Sequence, residues 1–384
     1  MKIGQFLGAC GRAVRRRRPR FEVPSVHFSM LAPDTAGIWL PSRGCRFDFE
    51  GQCTMCNFGF PGQVLDRHIV DAARNALPLI PPLVPILWMS PFNFFDTTEI
   101  STPVAEEILS MVAATAIETM VCETHVLTVE PARIARAVDL LGGKNLTIQF
   151  GVESMNEATR MLSINKPCSN ATIERAVSIT QAAGAEATAN LLFGAPFLSA
   201  REQVDDVVTS VRKAYSLGFD WVTVFPCFVK PFTVVECLYE DGLYEPPLLW
   251  GLVDILMHLH PNEHRRLNFS WLLFKDHPGA MRGAERGHDA DTEVWLADRL
   301  MRYAATWDPN ILSELAQRRS PCRKVWDRRM ADTPPPLRER LSTGYVAIAT
   351  RSLGADWVRD NAGGIEQALN FLFSARKMAG NRLN

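Results

Sequence analysis

The sequence predicts an α/β fold, a parallel sheet with helices packed outside it, on three observations. Apolar runs of strand length alternate with stretches of helical period across residues 36–230, six such units in all. The 384 residues suffice for one large α/β domain plus an appendage, and 47% hydrophobic with 22% charged residues is the balance of a folded chain with a sizeable core. Polar groups stand where the apolar runs stop, at the edge where parallel sheets collect functional side chains. The alternation is compatible with a doubly wound sheet or with one curled into a barrel.

Residues 1–33 read as a basic, irregular N-terminal arm, with Pro19 and Pro24 as breakers and Arg15, Arg16, Arg17 and Arg18 solvated. RNA phosphate is the sharper reading of that arginine run. The first strand centres on Ile38-Trp39-Leu40, and Pro41-Ser42-Arg43-Gly44 is the turn that delivers Cys45. Strand 85–89 precedes a helix over 103–114, and strand 119–122 one over 131–141. Strand 146–152 leads into helical segments 156–162 and 171–183, the second with Ile173, Ala176, Val177 and Thr180 on one face. Strand 187–193 precedes a helix whose stripe is Val204, Val207, Val208, Val211 and Tyr215, closed by Gly218, and 221–225 is the sixth strand. Beyond Lys230 the alternation fades into a compact stretch, an apolar helix over 248–260 and a mostly helical tail broken at Pro334-Pro335-Pro336. His258, His260 and His264 are divided by Pro261, so capping or surface roles are expected of them rather than a metal.

The strand ends place Cys45, Ser90 to Asn93, Glu123, Glu153, Asn190 and the stretch 227–230 on one rim. On that rim lies the stretch with most chemistry, Cys45, Cys53 and Cys56, spaced Cys-x7-Cys-x2-Cys. A Cys-x2-Cys pair folds readily round a metal, and Cys45 is one short loop away. Three sulfurs are one short of a structural zinc site, which points to an iron-sulfur cluster with one iron left open. Structural zinc with His27 or His68 as fourth ligand, in a binding protein without turnover, and three unrelated buried thiols are the alternatives.

A net charge of -1 gives no global positive field for nucleic acid. Nine cysteines, scattered outside the loop at Cys10, Cys122, Cys168, Cys227, Cys237 and Cys322, do not form a secreted disulfide framework, and burial is expected of them. No apolar run follows the arginines, and prolines interrupt the apolar stretch 77–89, so a cytoplasmic protein without membrane attachment is expected.

The cysteine loop, the stretch from Ser90-Pro91-Phe92-Asn93 to Glu99-Ile100, Gly151-Val152-Glu153-Ser154 with Ser163-Ile164-Asn165-Lys166, and 233–250 together resemble the radical SAM enzymes. The likeness covers about 36–255 and is to a variant branch with archaeosine-forming enzymes and, more distantly, the Elongator catalytic subunit. It implies a partial (β/α)6 TIM-like barrel over 34–255, with a mostly helical C-terminal region over 256–384. It implies a [4Fe-4S] cluster on Cys45, Cys53 and Cys56, with S-adenosylmethionine chelated at the open iron. Met55 would approach adenine, Ser90 and Asn93 the methionyl amine, Glu123 the methionyl end, and Glu153 the ribose or substrate. Phe58 and Asn190 join them as cofactor-binding candidates, and Asn165 and Lys166 as substrate contacts. Pro91 and Asn93 depart from the family's small residues at this motif. The substrate expected is a small or carrier-bound metabolite, modified by hydrogen abstraction or fragment addition, with flavodoxin or ferredoxin as electron donor. The alternative is a tRNA nucleoside whose 7-deazaguanine side chain loses a carbon-nitrogen bond.

Overall fold

The computed structural model describes residues 2–18, 26–59, 64–273 and 290–378. Pro19 and Pro24 lie outside them. One sheet runs in chain order through β1 (His27–Ala32), β2 (Thr35–Trp39), β3 (Ile86–Ser90), β4 (Thr119–Thr124), β5 (Asn145–Glu153), β6 (Glu186–Phe193), β7 (Trp221–Pro226) and β8 (Leu267–Phe269). β1 is antiparallel to β2, and every later neighbour is parallel. The six strands expected from the sequence are β2 to β7.

The sheet is curled. Trp39 at the end of β2 and Trp271 just past β8 bring their ring centroids to 5.8 Å. In a flat sheet those strands would stand about 29 Å apart at ordinary interstrand spacing. The fold is therefore an open half-barrel rather than a doubly wound sheet. Its edge strand β1 and short last strand β8 were not expected.

Helices α1 (Ile3–Arg15), α2 (Arg46–Phe49), α3 (Asp66–Ala76), α4 (Thr102–Ala113), α5 (Pro131–Leu140), α6 (Asn170–Ala182) and α7 (Ala200–Ser216) accompany the strands. They are followed by α8 (Val234–Glu240), α9 (Trp250–His258), α10 (Pro261–His264), α11 (Ala290–Thr306), α12 (Pro309–Gln317), α13 (Pro321–Ala331), α14 (Leu337–Leu353) and α15 (Ala355–Met378). The predicted stripes face the core: α6 buries Ile173, Ala176, Val177 and Thr180, and α7 buries Val204, Val207, Val208 and Val211 and half-buries Tyr215. Each buried valine contributes about 1.5–3 kcal/mol. Ser199 and Glu202 form a capping box at the start of α7, and Gly218, at φ +92°, follows its end. His260 caps α10, His264 is buried against Tyr303, and His258 is exposed with its ring bonded to Asp254 O.

Two apolar clusters result. The larger fills the space between the sheet and its helices and reaches Trp250 and Trp326. The smaller joins α1, α8, α14 and α15. The irregular, solvated arm expected at the N-terminus is thus corrected: Ile3, Phe6, Leu7, Cys10 and Val14 lie on one face of α1 and are buried. Cysteines outside the loop are buried, as expected. No helix among the described residues is long and apolar enough to cross a membrane.

Candidate metal and cofactor centre

The cysteine loop leaves the C-terminal edge of β2, where Leu40 N–H donates to Ser90 O at 3.0 Å. Gly44 turns at φ +83°, and Cys45 then precedes the single turn α2, its N–H bonded to Phe58 O at 3.0 Å. Cys53 takes a left-handed conformation, φ +56°, and its carbonyl accepts from Cys56 N–H at 2.9 Å, so the Cys-x2-Cys pair turns back on itself. From below, Cys53 N–H donates to Asn165 O at 3.3 Å, Thr54 N–H to Ile164 O at 2.9 Å, and Thr54 Oγ1 to Ser163 O at 2.8 Å. Those acceptors end a π-helical turn, Thr159–Ile164. The loop is thereby fixed to the strand-end rim by backbone bonds on both flanks.

The three thiols lie within one another's fields. Burial, then Glu99, then Cys56 and Cys53 push the Cys45 thiol well above its usual range. Burial also raises Cys53, to about 12, and Cys56. Buried sulfurs that repel one another's charge become thiolates when metal charge is supplied. Among the described residues no three His, Cys, Asp or Glu side chains gather tightly enough for one metal ion. His68 is exposed on α3, and His27 packs against Trp39 at 5.1 Å. Three spaced thiols with no fourth donor adjoining them among the described residues suit a cluster, itself several atoms across, better than a single zinc ion.

Beside the sulfurs the rim residues meet. Ser90 Oγ donates to Glu123 Oε2 at 2.9 Å, and Asn190 Nδ2 to Glu123 Oε1 at 3.3 Å, tying β3, β4 and β6 together. Glu153, left-handed at φ +66° beside an irregularity in the β5–β6 pairing, accepts from Lys166 Nζ at 3.1 Å. Asn93 Nδ2 bridges Cys45 Sγ at 3.2 Å and Glu99 Oε2 at 2.8 Å. Phe58 stacks on Phe92 at 4.2 Å, and Lys230 Nζ lies 4.1 Å from the Phe58 ring centroid. Met55 is half-buried against the smaller apolar cluster.

This neighbourhood holds acceptors with nothing to accept. Glu153 Oε2 and Asn190 Oδ1 are buried without hydrogen-bond partners, a state native interiors avoid unless a ligand completes it, and His125, whose Nδ1 accepts from Leu127 N–H, turns a buried Nε2 donor without a partner. Burial pushes Glu123 up to about 7, with Ser90 opposing and Glu153 reinforcing, and pushes Glu99 up to about 8 against hydrogen bonds from Asn93 and Ser42. Lys230 is lowered by burial, opposed by Cys56, Cys227, Glu153 and Glu123. A site with paired carboxyls, spare acceptors and a neighbouring thiol triad suits a ligand carrying an ammonium and hydroxyls. The residues present thus fit a cluster and an amino-acid-like cofactor beside it.

Sequence reasoning missed two members. Arg15 donates into the cysteine loop instead of to solvent, and the signal for it was the helical spacing of Ile3, Phe6, Leu7, Cys10 and Val14 just before the basic run. Glu99, which holds Asn93 and Ser42 together, stood in a stretch that carries the resemblance but was given no role of its own.

No protein-family model matches the chain. It is 27% identical over 304 residues to archaeosine synthase subunit beta of Methanosarcina acetivorans, covering 76% of this chain and 84% of that one. It is 27% identical over 305 residues to archaeosine synthase subunit beta of Thermococcus kodakarensis, covering 76% and 90%. Among solved structures, methylornithine synthase aligns with TM-score 0.44 at 14% identity, over 88% of this chain and 90% of that one. The radical S-adenosylmethionine methyltransferase TsrM of Kitasatospora setae aligns with TM-score 0.42 at 13% identity, over 61% of this chain and 53% of that one.

Proposed function

We propose that this chain is a radical S-adenosylmethionine enzyme whose Cys45, Cys53 and Cys56 hold a [4Fe-4S] cluster. The observation that carries the reading is the thiol triad, Cys53 buried and Cys45 and Cys56 half-buried, lying beside unpartnered acceptors on Glu153 and Asn190. When bound, cluster and cofactor supply reductive cleavage of a carbon-sulfur bond and hence a carbon radical for an organic substrate.

The chain's own residues do the positioning. Asn93 donates to Cys45 Sγ, which steadies negative charge on that sulfur and fixes the side chain at the rim. Glu123, held by Ser90 and Asn190, and the free oxygen of Glu153 would accept from the cofactor's ammonium and hydroxyls. Lys166 holds Glu153 in place by neutralising its other oxygen. Phe58, stacked between Phe92 and the Lys230 ammonium, walls the cofactor from solvent. The electron arrives from a small reductant such as flavodoxin or ferredoxin in a reducing cytosol. On the sequence reading the substrate is a small or carrier-bound metabolite.

A second substrate reading is favoured by the relatives' names. Two proteins similar over three quarters of this chain are called archaeosine synthase subunit beta, which favours a 7-deazaguanine nucleoside carried by tRNA. Exposed Arg12, Arg16 and Arg17 on and just after α1 would then meet phosphate.

Reduced protein incubated with S-adenosylmethionine is expected to release a cleavage product, and the Cys45→Ala, Cys53→Ala and Cys56→Ala variants none. Equal cofactor turnover by those variants would overturn the reading. Salt-dependent tRNA retention, steep between 50 and 200 mM, supports the tRNA substrate, and no retention at low salt removes it.

A further inference from the structure

We infer that α1 is a clamp built onto the cysteine loop, and that its Arg15 sets both the loop's conformation and the electrostatic field at the sulfurs. The second half rests on the cluster reading above; the first does not.

Arg15 is 8% exposed although it opens a run of four arginines. Its Nη2 donates to the carbonyls of Gln52 at 2.6 Å, Cys53 at 2.9 Å and Cys56 at 3.0 Å. Its Nε pairs with Asp48 Oδ1 at 2.5 Å, while Arg18 pairs with Asp48 Oδ2 at 3.0 Å. Asp48 Oδ2 also accepts from Gly59 N–H at 2.5 Å, beyond the last cysteine. One planar guanidinium thus gathers the carbonyls of Gln52, Cys53 and Cys56 on Nη2 while its Nε faces Asp48, two directions that a lysine's single ammonium cannot serve together.

An independent feature brings α1 close enough. A Cβ on Gly11 would sit 2.5 Å from Gly51 O, and one on Gly51, at φ +84°, would sit 2.1 Å from Gly8 O. Helix and loop therefore touch backbone to backbone, through glycines alone. The far side of α1 is seated by the C-terminal helices: Phe6 stacks on Trp357 at 5.8 Å and meets Tyr345 at 5.3 Å, while Tyr345 donates to Leu162 O at 2.6 Å. α14 and α15 thereby serve the cysteine loop at second hand.

Arg15 and Arg18 against Asp48 leave one net positive charge, which Arg15 Nη2 holds 2.9 Å from the carbonyl of Cys53 and 3.0 Å from that of Cys56. A cation beside an electron acceptor favours its reduced form, so Arg15 holds the cluster's potential up as a positioning residue.

Two readouts test this in the full chain. In cluster-free protein, amide exchange over 45–59 should rise about tenfold in both Arg15→Gln and Arg15→Lys. Gly11→Ala, which pushes α1 off Gly51 without altering charge, should do the same. In reconstituted protein, the midpoint of a spectroscopic redox titration should move to more negative potential in Arg15→Gln and stay near wild type in Arg15→Lys. Unchanged exchange in Arg15→Gln, or an unmoved midpoint there, overturns the inference. If Arg15→Gln does not fold, unchanged exchange in both Arg15→Lys and Gly11→Ala overturns it. A wild-type protein without a cubane spectrum defeats the cluster reading, and the exchange experiment still decides the clamp.

Discussion

Asn93 Nδ2 stands 3.2 Å from Cys45 Sγ and 2.8 Å from Glu99 Oε2, so one amide links a sulfur of the cysteine loop to a buried carboxyl. Asn93→Ala removes both bonds and leaves Glu99 short of donors. Unsatisfied buried acceptors cost about 1–3 kcal/mol. Urea unfolding of cluster-free protein should show that loss, and Asn93→Ala,Glu99→Ala together should lose less than the two single variants summed.

Lys166 and Glu153 form a buried pair at 3.1 Å. Removing one partner of such a pair strands the other's charge, at a cost of about 3–5 kcal/mol. Lys166→Met should therefore destabilise strongly, and the Lys166→Met,Glu153→Gln double variant should recover most of the loss. Thermal unfolding measures both, and equal instability of single and double variants would show that the pair's charges are not the cause.

Glu123 gives stability a definite pH dependence. Its folded carboxyl is raised to about 7 from an ordinary 4.5, by burial first. The folded state therefore holds the extra proton between those values. Its contribution is fully present below pH 4.5 and is lost as pH rises through about 7. Glu99, raised to about 8, acts in the same direction over a wider window. Cluster-free Glu123→Gln should lose less stability than wild type between pH 5 and 8 by denaturant titration, and parallel curves would contradict the assignment.

The strands and their helices were legible because burial imposes period on sequence. α6 and α7 bury the residues whose spacing marked them. β1 escaped because as an edge strand it mixes exposed and half-buried positions without alternation, and β8 because three residues carry no period. The curl showed in no local pattern, since it depends on Trp39 meeting Trp271 from distant parts of the chain. At the site, the thiol spacing and the strand-end positions of Ser90, Glu123 and Glu153 could be read directly. The bonds of Arg15 to residues up to 41 positions away, and Lys230 over Phe58, are made by tertiary packing. A basic run read alone suggests solvent; only the apolar stripe preceding it says that one arginine turns inward.

Gly251 shows how closely α9 is packed. A Cβ there would lie 2.1 Å from Phe193 Cζ and 2.9 Å from Trp326 Cζ2. Gly251→Ala should cost about 1–3 kcal/mol through overpacking. Calorimetry of the cluster-free protein would register a lowered transition, and an unchanged one would mean that Phe193 and Trp326 yield freely.

On the proposed function, Cys45, Cys53 and Cys56 would hold a cubane with one iron open to a ligand. Iron and sulfide analysis of anaerobically reconstituted protein, with electron paramagnetic resonance of the reduced form, tests it most directly. The expected result is about four irons per chain, a reduced spectrum that changes when S-adenosylmethionine is added, and loss of both in Cys45→Ala. A colourless protein with one tightly held zinc, or an iron signal unaffected by Cys45→Ala, would contradict it.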